Sequence, residues 1–207
     1  MSTLSISLDG YTDLPPGKIA NVVTYLEMTA PPPAAHGQDR PDLVLRQVDS
    51  PDVAWFRATI RAIGERWLWF SPLVMPDRTL AAIIGDPRME TRVLERDGRL
   101  AGISQLDRRV PGEVEIAFFG VVEVEIGSGA ARWLMERTLE LAFAPGIGRV
   151  WVHTCTFDHP AAVPFYLRSG FTPFKFAIEV SDDPRLTGAV PETAGPHVAL
   201  IGRGGNR

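Results

Sequence analysis

The sequence is poor in cysteine, in long apolar runs and in clusters of basic residues. Cys155 is the one cysteine among 207 residues, which excludes an intramolecular disulfide and a zinc site made of cysteines. No stretch approaches the roughly 18 apolar residues that a membrane-spanning helix needs. Residues 1–18 have neither the basic opening nor the apolar core of a signal peptide. We therefore expect a cytoplasmic protein without a membrane partner.

The charge balance argues against a second class of partner. The formal net charge is −4, and no long run of lysines or arginines offers a patch for a nucleic-acid backbone. The hydrophobic fraction of 45% and the charged fraction of 22% are typical of a globular protein. We expect one folded domain and no nucleic-acid partner.

The apolar pattern predicts an α/β fold with a mixed sheet. Predicted strands cover residues 22–28, 43–48, 89–96, 99–109, 113–122, 149–156 and 171–180. Predicted helices cover residues 53–64, 78–85, 130–142 and 158–169, with Asp77 as the N-cap of the second. Turn signals at residues 97–98 and 111–112 join three strands into an antiparallel meander. The strands before and after the helix at 130–142 require a parallel crossover.

A glycine-bearing turn precedes the helix at 130–142. Gly127 and Gly129 let the main chain approach a phosphate closely, and the first N–H groups of the helix favour negative charge. An ordinary strand-to-helix turn is the alternative, and two glycines alone do not decide between them. A Rossmann dinucleotide site fits less well, because Arg132 stands where its third glycine would be.

A second motif lies in residues 159–171. Its characteristic residues are Ala162, Tyr166, Gly170 and Phe171. Together with Gly127 and Gly129, this succession resembles the GCN5-related N-acetyltransferase (GNAT) family, and residues 152–162 resemble a bacterial branch of it. The resemblance implies a single GNAT-like α/β domain at residues 43–180. Residues 1–42 would be an N-terminal extension with an extra strand and a proline-rich linker at 30–35, and residues 181–207 a C-terminal tail.

The resemblance also implies a site for acetyl-CoA in a mostly antiparallel sheet with helices on both faces. The strands at 113–121 and 149–156 would splay apart to admit the pantetheine arm. The residues implied to bind acetyl-CoA are Phe119, Gly120, Val121, Ile126, Gly127, Ser128, Gly129, Ala130, Ala131, Arg132, His159 and Ala162. N–H groups near Phe119 to Val121 would hold the acetyl carbonyl, with Gly120 at a bulge.

Two acidic residues stand beside the implied pyrophosphate site. Glu123 and Glu125 oppose anion binding unless their side chains point away, and Arg132 can offset their charge.

Two residues are candidates for acid–base chemistry. Glu115 corresponds to the glutamate that some GNAT enzymes use as a base, and its apolar neighbours would raise its pKa by desolvation. The alternative is a half-exposed strand glutamate paired with an arginine, and Glu113, two residues earlier on the same face, is the substitute base. Tyr166 corresponds to the family's general acid, and the alternative is a buried packing residue.

The acceptor site is expected near Trp67, Trp69 and His153. The two tryptophans fall in a connection that borders the acceptor pocket in this family, although a core plug is an equal alternative. His153, Cys155, Asp158 and His159 form a cluster with metal-ligand residue types. We expect no metal there, since Asp158 and His159 sit where a helix cap is needed.

These observations predict an enzyme that transfers an acetyl group from acetyl-CoA directly to a primary amine of a small molecule or peptide. The alternative is a non-catalytic acyl-CoA-binding sensor with the same fold. The oligomeric state is open between a monomer and a homodimer, because fold alone fixes neither acceptor nor assembly.

Overall fold

Seven strands form one sheet in the order β2-β3-β4-β5-β6-β1-β7 in the computed structural model, which describes residues 3–32 and 39–202. The strands are β1 Lys18–Met28, β2 Leu43–Val48, β3 Met89–Arg96, β4 Arg99–Asp107, β5 Glu113–Val121, β6 Arg149–Cys155 and β7 Thr172–Asp182. The helices are α1 Val53–Gly64, α2 Ser71–Val74, α3 Asp77–Ile84, α4 Ala130–Ala142 and α5 Ala162–Arg168. Single 3-10 turns lie at Glu65–Trp67 and Glu123–Glu125.

The predicted mixed, mostly antiparallel sheet is confirmed. β3, β4 and β5 form the meander, with Asp97, Gly98 and Gly112 at positive φ in its two turns. β5 and β6 are parallel neighbours across the α4 crossover, and every other pair of neighbouring strands is antiparallel. The connection through α4 makes the parallel pairing possible.

Helices cover both faces of the sheet, as predicted. On the α1 side, α1 and α3 bury a cluster against β4 that consists of Phe56, Ile60, Ile63, Leu80, Ile84 and Ile103. On the α4 side, α4 and α5 pack against the opposite face through residues that include Leu134, Met135, Leu139 and Tyr166. Burying each large apolar side chain contributes roughly 1.5–3 kcal/mol, so these two layers hold the sheet between them.

The N-terminal strand lies inside the sheet. β1 starts at Lys18, four residues earlier than predicted, and pairs with β6 on one side and β7 on the other. Leu26 is fully buried in the α4-side core. β7 therefore forms the edge of the sheet. The domain boundary at residue 42 stays a prediction, and residues 33–35 of the proline-rich linker lie outside the described residues.

Two helix starts differ from the predictions. The N-cap of α3 is Pro76, whereas Asp77 lies in the first turn and pairs with Arg57 at 2.7 Å. A carboxylate in the first turn still favours the helix through its positive end. α5 begins at Ala162 because the preceding residues form a turn in which the Ala162 N–H donates to the carbonyl of His159 at 2.8 Å.

The C-terminal segment from Asp183 to Gly202 forms no strand or helix, although residues 197–201 have a strand-like sequence. A buried ion pair between Arg185 and Asp183, at 2.7 Å, anchors it. Arg185 also donates to the carbonyl of Val198 at 2.6 Å. Val190 and Ala194 pack against Leu68 and its neighbours, which places this segment beside the connection after α1.

Candidate active site

The strands β5 and β6 separate partway along their length. Their parallel pairing runs from Glu113 opposite Arg149 to Ile116 opposite Val152 and ends there. β5 stays paired with β4 as far as Val121. The edge of β5 from Ala117 to Val121 therefore has no strand partner on the β6 side. This is the splay that the resemblance to the GNAT family implies.

A bulge in β5 lies where the two strands separate. Gln105 of β4 pairs with Phe118, whereas Leu106 pairs with Ile116, so Ala117 is the extra residue. The prediction that Gly120 forms the bulge is wrong. Gly120 is needed for a different reason, because a Cβ there would lie 2.9 Å from the indole of Trp69.

The bulge changes the face to which the following side chains point. In a regular strand Glu115 and Phe119 would share a face, since side chains alternate. Instead, Phe118 packs against Trp69 on the α1 side, whereas Phe119 packs against Tyr166 and Phe165 on the α4 side. Groups from both faces of the sheet can therefore meet at the gap.

A cavity of about 790 Å³ extends through this gap. The predicted site residues that line it are Trp67, Trp69, Glu115, Phe119, Gly120, Val121, Ile126, Gly127, Ala131, His153, His159, Ala162 and Tyr166. Ser128, Gly129, Ala130 and Arg132 do not line it. We call residues 126–129 the glycine loop, and the region lined by Tyr25, Trp67, Glu115 and His153 the carboxylate end.

The glycine loop and the first turn of α4 present free amides. The N–H groups of Gly127, Gly129, Ala131 and Arg132 have no acceptor among the described residues. Gly127 and Gly129 both have a φ of 84°, which residues with a Cβ rarely adopt. A Cβ on Gly127 would meet nothing within 4 Å, so the space beside its backbone is open. These amides, at the positive end of a helix, fit an anionic group such as a phosphate.

The two glutamates before the glycine loop are neutralised by arginines. Arg96 binds both carboxylate oxygens of Glu125, at 2.7 and 2.9 Å, and lowers the pKa of that carboxyl. Glu123 pairs with Arg66 at 2.9 Å. The sequence left open whether Glu123 and Glu125 would oppose an anion at the loop or point away from it. In the structure, both side chains are turned to arginines.

Ser128 and Arg132 do not point to the cavity. The Ser128 hydroxyl donates to Glu125 Oε2 at 2.7 Å and accepts the N–H of Ala130 at 3.2 Å, which fixes the turn into α4. The Arg132 side chain is 81% exposed and pairs with Glu136 at 3.2 Å. Arg40 lies nearer to the loop, because its Nη1 donates to the Ser128 carbonyl at 3.3 Å.

Tyr166 lies on the α4 side of the gap, where it is only 6% exposed. Its ring makes edge contacts with Phe119, Phe165 and Phe171 at centroid distances of 6.3, 5.6 and 5.9 Å. Burial, and to a lesser extent the charge of Asp158, raises the pKa of Tyr166 well above its ordinary value. The hydroxyl therefore stays protonated at neutral pH, and it has no hydrogen-bond partner among the residues described.

Glu115 and Glu113 have different partners although they share a strand face. Glu115 lies 3.3 Å from His153 Nδ1, and its side chain is 21% exposed at the carboxylate end. Glu113 is bound by Arg149 at 2.8 Å, and Arg149 also binds Glu27 at 2.6 Å. Glu113 is thus the arginine-paired strand glutamate, whereas Glu115 faces the cavity beside a histidine.

Asp158 links three parts of the site. It accepts hydrogen bonds from Trp69 Nε1 at 2.7 Å, from the Thr154 hydroxyl at 2.6 Å and from the Cys155 N–H at 2.9 Å. Trp69 also packs closely on Gly120, so its indole connects β5 to the end of β6 across the gap. Asp158 was expected to cap α5, and the structure instead gives it this bridging position.

The remaining members of the predicted cluster have separate contacts. His159 Nδ1 accepts a hydrogen bond from the N–H of Ala161 at 3.0 Å, and the centroid of its ring lies 5.0 Å from that of Trp67. Burial raises the pKa of Cys155 to about 11, so its thiol stays protonated at neutral pH. Within residues 3–32 and 39–202, no group of three or more His, Cys, Asp or Glu side chains is arranged to hold a metal ion. In the same residues, no helix is long and apolar enough to cross a membrane.

Sequence comparison identifies the family. Residues 56–171 match the Acetyltransferase (GNAT) family, a span that runs from α1 to the end of the Tyr166 motif. The match covers more than half of the chain, so this protein belongs to the GNAT acetyltransferase family. None of the curated proteins matches the sequence.

Solved structures share the fold at low sequence identity. A GCN5-related N-acetyltransferase from Sphaerobacter thermophilus is 16% identical, with a TM-score of 0.58 over 79% of this chain and 52% of that chain. A GCN5-related N-acetyltransferase from Kribbella flavida is also 16% identical, with a TM-score of 0.54 over 83% of this chain and 63% of that chain. A functionally unknown conserved protein from Staphylococcus epidermidis ATCC 12228 is 15% identical, with a TM-score of 0.54 over 81% and 64%. This chain thus spans about half to two thirds of the length of these proteins.

Proposed function

We propose that this protein transfers an acetyl group directly from acetyl-CoA to the primary amine of a small molecule or peptide. The observation that supports this most is the gap between β5 and β6, since one cavity there joins a carboxylate, a protonated tyrosine and an unpaired strand edge. The free amides of the glycine loop lie at its border. Each of these groups has a role in the transfer of an acetyl group between sulfur and nitrogen.

The glycine loop is the proposed phosphate site. Gly127, Gly129, Ala131 and Arg132 each offer an N–H without an acceptor, and the pairing of Glu123 and Glu125 with arginines removes two nearby repulsions. The unpaired edge of β5 offers main-chain groups to the pantetheine amides, as an added strand would use them. N–H groups at Phe119 to Val121 would stabilise the negative charge that develops on the carbonyl oxygen.

Glu115 is the proposed base, and His153 is its partner. An amine is mostly protonated near neutral pH, since its ordinary pKa is about 10.4 in lysine. Glu115 lies on the α1 side of the gap without an arginine or lysine partner among the described residues. It can therefore accept the proton from the ammonium group, directly or through His153, and leave a nucleophilic nitrogen.

Tyr166 is the proposed acid on the opposite side of the gap. Its hydroxyl is free to donate a hydrogen bond to the departing sulfur. The raised pKa makes complete proton transfer to a thiolate unfavourable on its own, because the ordinary pKa of a thiol is about 8.5. We therefore assign Tyr166 the donation of a strong hydrogen bond that stabilises the negative charge on the sulfur as its bond to the acetyl carbon breaks.

An acceptor screen with acetyl-CoA that follows the release of free thiol tests this function. We expect thiol release with at least one primary amine, and a rise in melting temperature with acetyl-CoA but not with NAD. A rise in melting temperature without thiol release from any amine would favour the acyl-CoA-binding sensor instead. An unchanged melting temperature with millimolar acetyl-CoA would exclude both.

A further inference from the structure

Three neighbouring strands carry a row of small side chains at the carboxylate end. The row consists of Cys155 on β6, Val23 on β1 and Ala177 on β7, which are cross-strand neighbours and all line the cavity. Leu68 and Phe70 line the same cavity from the connection after α1. This part of the cavity therefore suits an apolar group of modest size.

A second row lies next to the first on the same face of the sheet, since side chains two residues apart along a strand point the same way. It consists of His153, Tyr25 and Lys175. The rings of His153 and Tyr25 lie 5.5 Å apart, between centroids. Lys175 is exposed and does not itself line the cavity, but its Nζ lies 3.7 Å from the centroid of the cavity-lining Tyr25 ring, where the face of the ring attracts a cation.

The two ends of this second row carry opposite charges without partners of their own. The sequence contains two lysines. Lys18 pairs with Asp182 at 2.9 Å, whereas Lys175 forms no ion pair with any residue that the structure describes. At the other end, the one ion-pair partner of Glu115 among the described residues is His153, although the charge of Arg109 also acts on it. A ligand with one positive and one negative group would satisfy both.

The orientation of such a ligand follows from the other charged groups nearby. Glu179 lies on the far side of the small row and is held by Asn21 Nδ2 at 2.9 Å, so it repels an anionic group there. Glu27 and Glu113 are already bound by Arg149. Arg109 lines the cavity but is bound by Asp107 at 2.5 Å, and Arg168 lines it from α5, which packs on the opposite face of the sheet. Lys175 is thus the cation without an ion pair on the face that carries His153 and Tyr25, and Glu115 is the anion there that can receive an ammonium.

We infer that the acceptor is an α-amino acid with an apolar side chain, an inference that rests on the proposed acetyl transfer to an amine. Its amine would face Glu115 and His153, its carboxylate would bind Lys175, and its side chain would lie over the small row. The amine and carboxylate of an α-amino acid are separated by roughly 3 Å. With a charge-assisted hydrogen bond of about 2.8 Å at each end, such a ligand can reach across the Tyr25 ring, whose centroid lies 5.5 Å from that of His153 and 3.7 Å from Lys175 Nζ.

The test compares three amino acids with the amines that lack only their carboxylate. The pairs are L-leucine with isopentylamine, L-methionine with 3-(methylthio)propylamine, and L-phenylalanine with phenethylamine. We expect kcat/KM for acetyl transfer to be at least about tenfold higher for the amino acid in one or more pairs, through a lower KM. Amino acid amides, which carry no negative charge, should behave like the amines.

Variants of the two lysines assign the effect. Lys175→Met keeps an unbranched apolar stem and should bring the ratio of kcat/KM for the amino acid to kcat/KM for its amine close to one. Lys175→Arg keeps the positive charge and should retain most of the preference for the amino acid. Lys18→Met is the matched control, because it removes the other lysine away from the cavity, and should leave the ratio unchanged. Equal turnover of amino acids and amines in the native protein, or a ratio that survives in a folded Lys175→Met variant, would overturn the inference.

Calorimetry separates this inference from the proposed reaction. If no thiol is released with any of these acceptors, binding of the same pairs is measured in the presence of CoA. Binding of an amino acid that exceeds its amine at least tenfold and is lost in Lys175→Met would support the site although the reaction had failed. Absence of binding by all three amino acids would refute the site, even if other amines are acetylated.

Discussion

The glycine loop offers free backbone amides at the border of the cavity, whereas the carboxylate end presents side chains from β5, β6 and β1. Around the loop, Arg96 and Ser128 hold Glu125 and fix the backbone before any ligand arrives. At the carboxylate end, Glu115 and His153 are partly exposed. The difference fits the proposed function, in which one end supplies affinity through fixed dipoles and the other exchanges protons.

Glu115→Gln tests the carboxylate end and should have the largest effect. The amide keeps the shape of the side chain but cannot accept a proton, so we expect kcat to fall by about 10²–10⁴-fold near neutral pH. Acetyl-CoA affinity should change little. Activity should recover partly at high pH, because more of the amine is then already neutral.

Glu113→Gln is the control for this substitution, since Glu113 lies on the same face but is bound by Arg149. It should retain activity within about threefold. The reverse result, with Glu113→Gln inactive and Glu115→Gln active, would show that the base is Glu113, two residues earlier on the same strand face. Steady-state rates over a range of pH distinguish the two.

Tyr166→Phe tests the group that lies between the two ends. The ring and its contacts with Phe119, Phe165 and Phe171 should remain, so the melting temperature should be nearly unchanged. We expect a loss of about 10²–10³-fold in the rate of single-turnover acetyl transfer, with acetyl-CoA affinity within a few-fold. An unaltered rate in the folded variant would make Tyr166 a packing residue.

Gly129→Val tests the glycine loop, and here affinity should fall while the rate at saturation is largely kept. A β-branched residue does not adopt a φ of 84° without strain, and the new Cβ would lie 3.4 Å from Arg40 Nη1. We expect acetyl-CoA to bind at least about tenfold more weakly by calorimetry, equivalent to roughly 1.4 kcal/mol. Gly146→Val provides the control, because Gly146 has a φ of 89° but follows the far end of α4, away from the glycine loop.

Arg96→Gln should have the smallest effect on binding, a few-fold loss, because it loosens the loop without touching the ligand. It leaves the buried Glu125 carboxylate without its cation, which we expect to cost about 1–3 kcal/mol of stability at neutral pH. Arg46→Gln is the control, since Arg46 forms an exposed pair with Glu95. Its removal should cost less than about 1 kcal/mol.

The pH dependence of stability provides a second measurement on Arg96→Gln. Because Arg96 lowers the pKa of Glu125 in the folded state, this pair stabilises the native protein above the unfolded-state pKa of the carboxyl. That contribution is lost as the pH falls through the folded-state pKa. The difference in melting temperature between the native protein and the variant should therefore shrink toward acid pH. A constant difference would mean that Arg96 acts through packing alone.

Sequence reasoning found the parts of the site that depend on local spacing. The glycine loop, the helix with Tyr166 and the meander all follow from residues close together in the chain. Glu115 was identified by its correspondence to a strand glutamate of the GNAT family, and in the structure it lines the cavity. Such features are set by turn chemistry and side-chain periodicity, which a single sequence displays.

The features that sequence reasoning missed depend on which distant strands become neighbours. No local signal shows that Tyr25 lies opposite His153, or that Lys175 lies beyond Tyr25. The bulge at Ala117 was placed three residues too late, because alanine carries no special backbone signal whereas glycine does. Asp158 was taken for a helix cap, since its partner Trp69 is far away in the sequence.

The position of β1 between β6 and β7 also determines the order in which the molecule can assemble. β1 is the first strand to be synthesised, whereas its partners β6 and β7 are the last two. The hydrogen bonds of β1 to these strands therefore cannot form until nearly the whole chain has been made. Pairing between such distant segments is slow, because a long loop must close before any contact forms. Until then the apolar side of β1 is uncovered. A strand that lines the cavity through Val23 and Tyr25 is thus open to aggregation while the chain is being made.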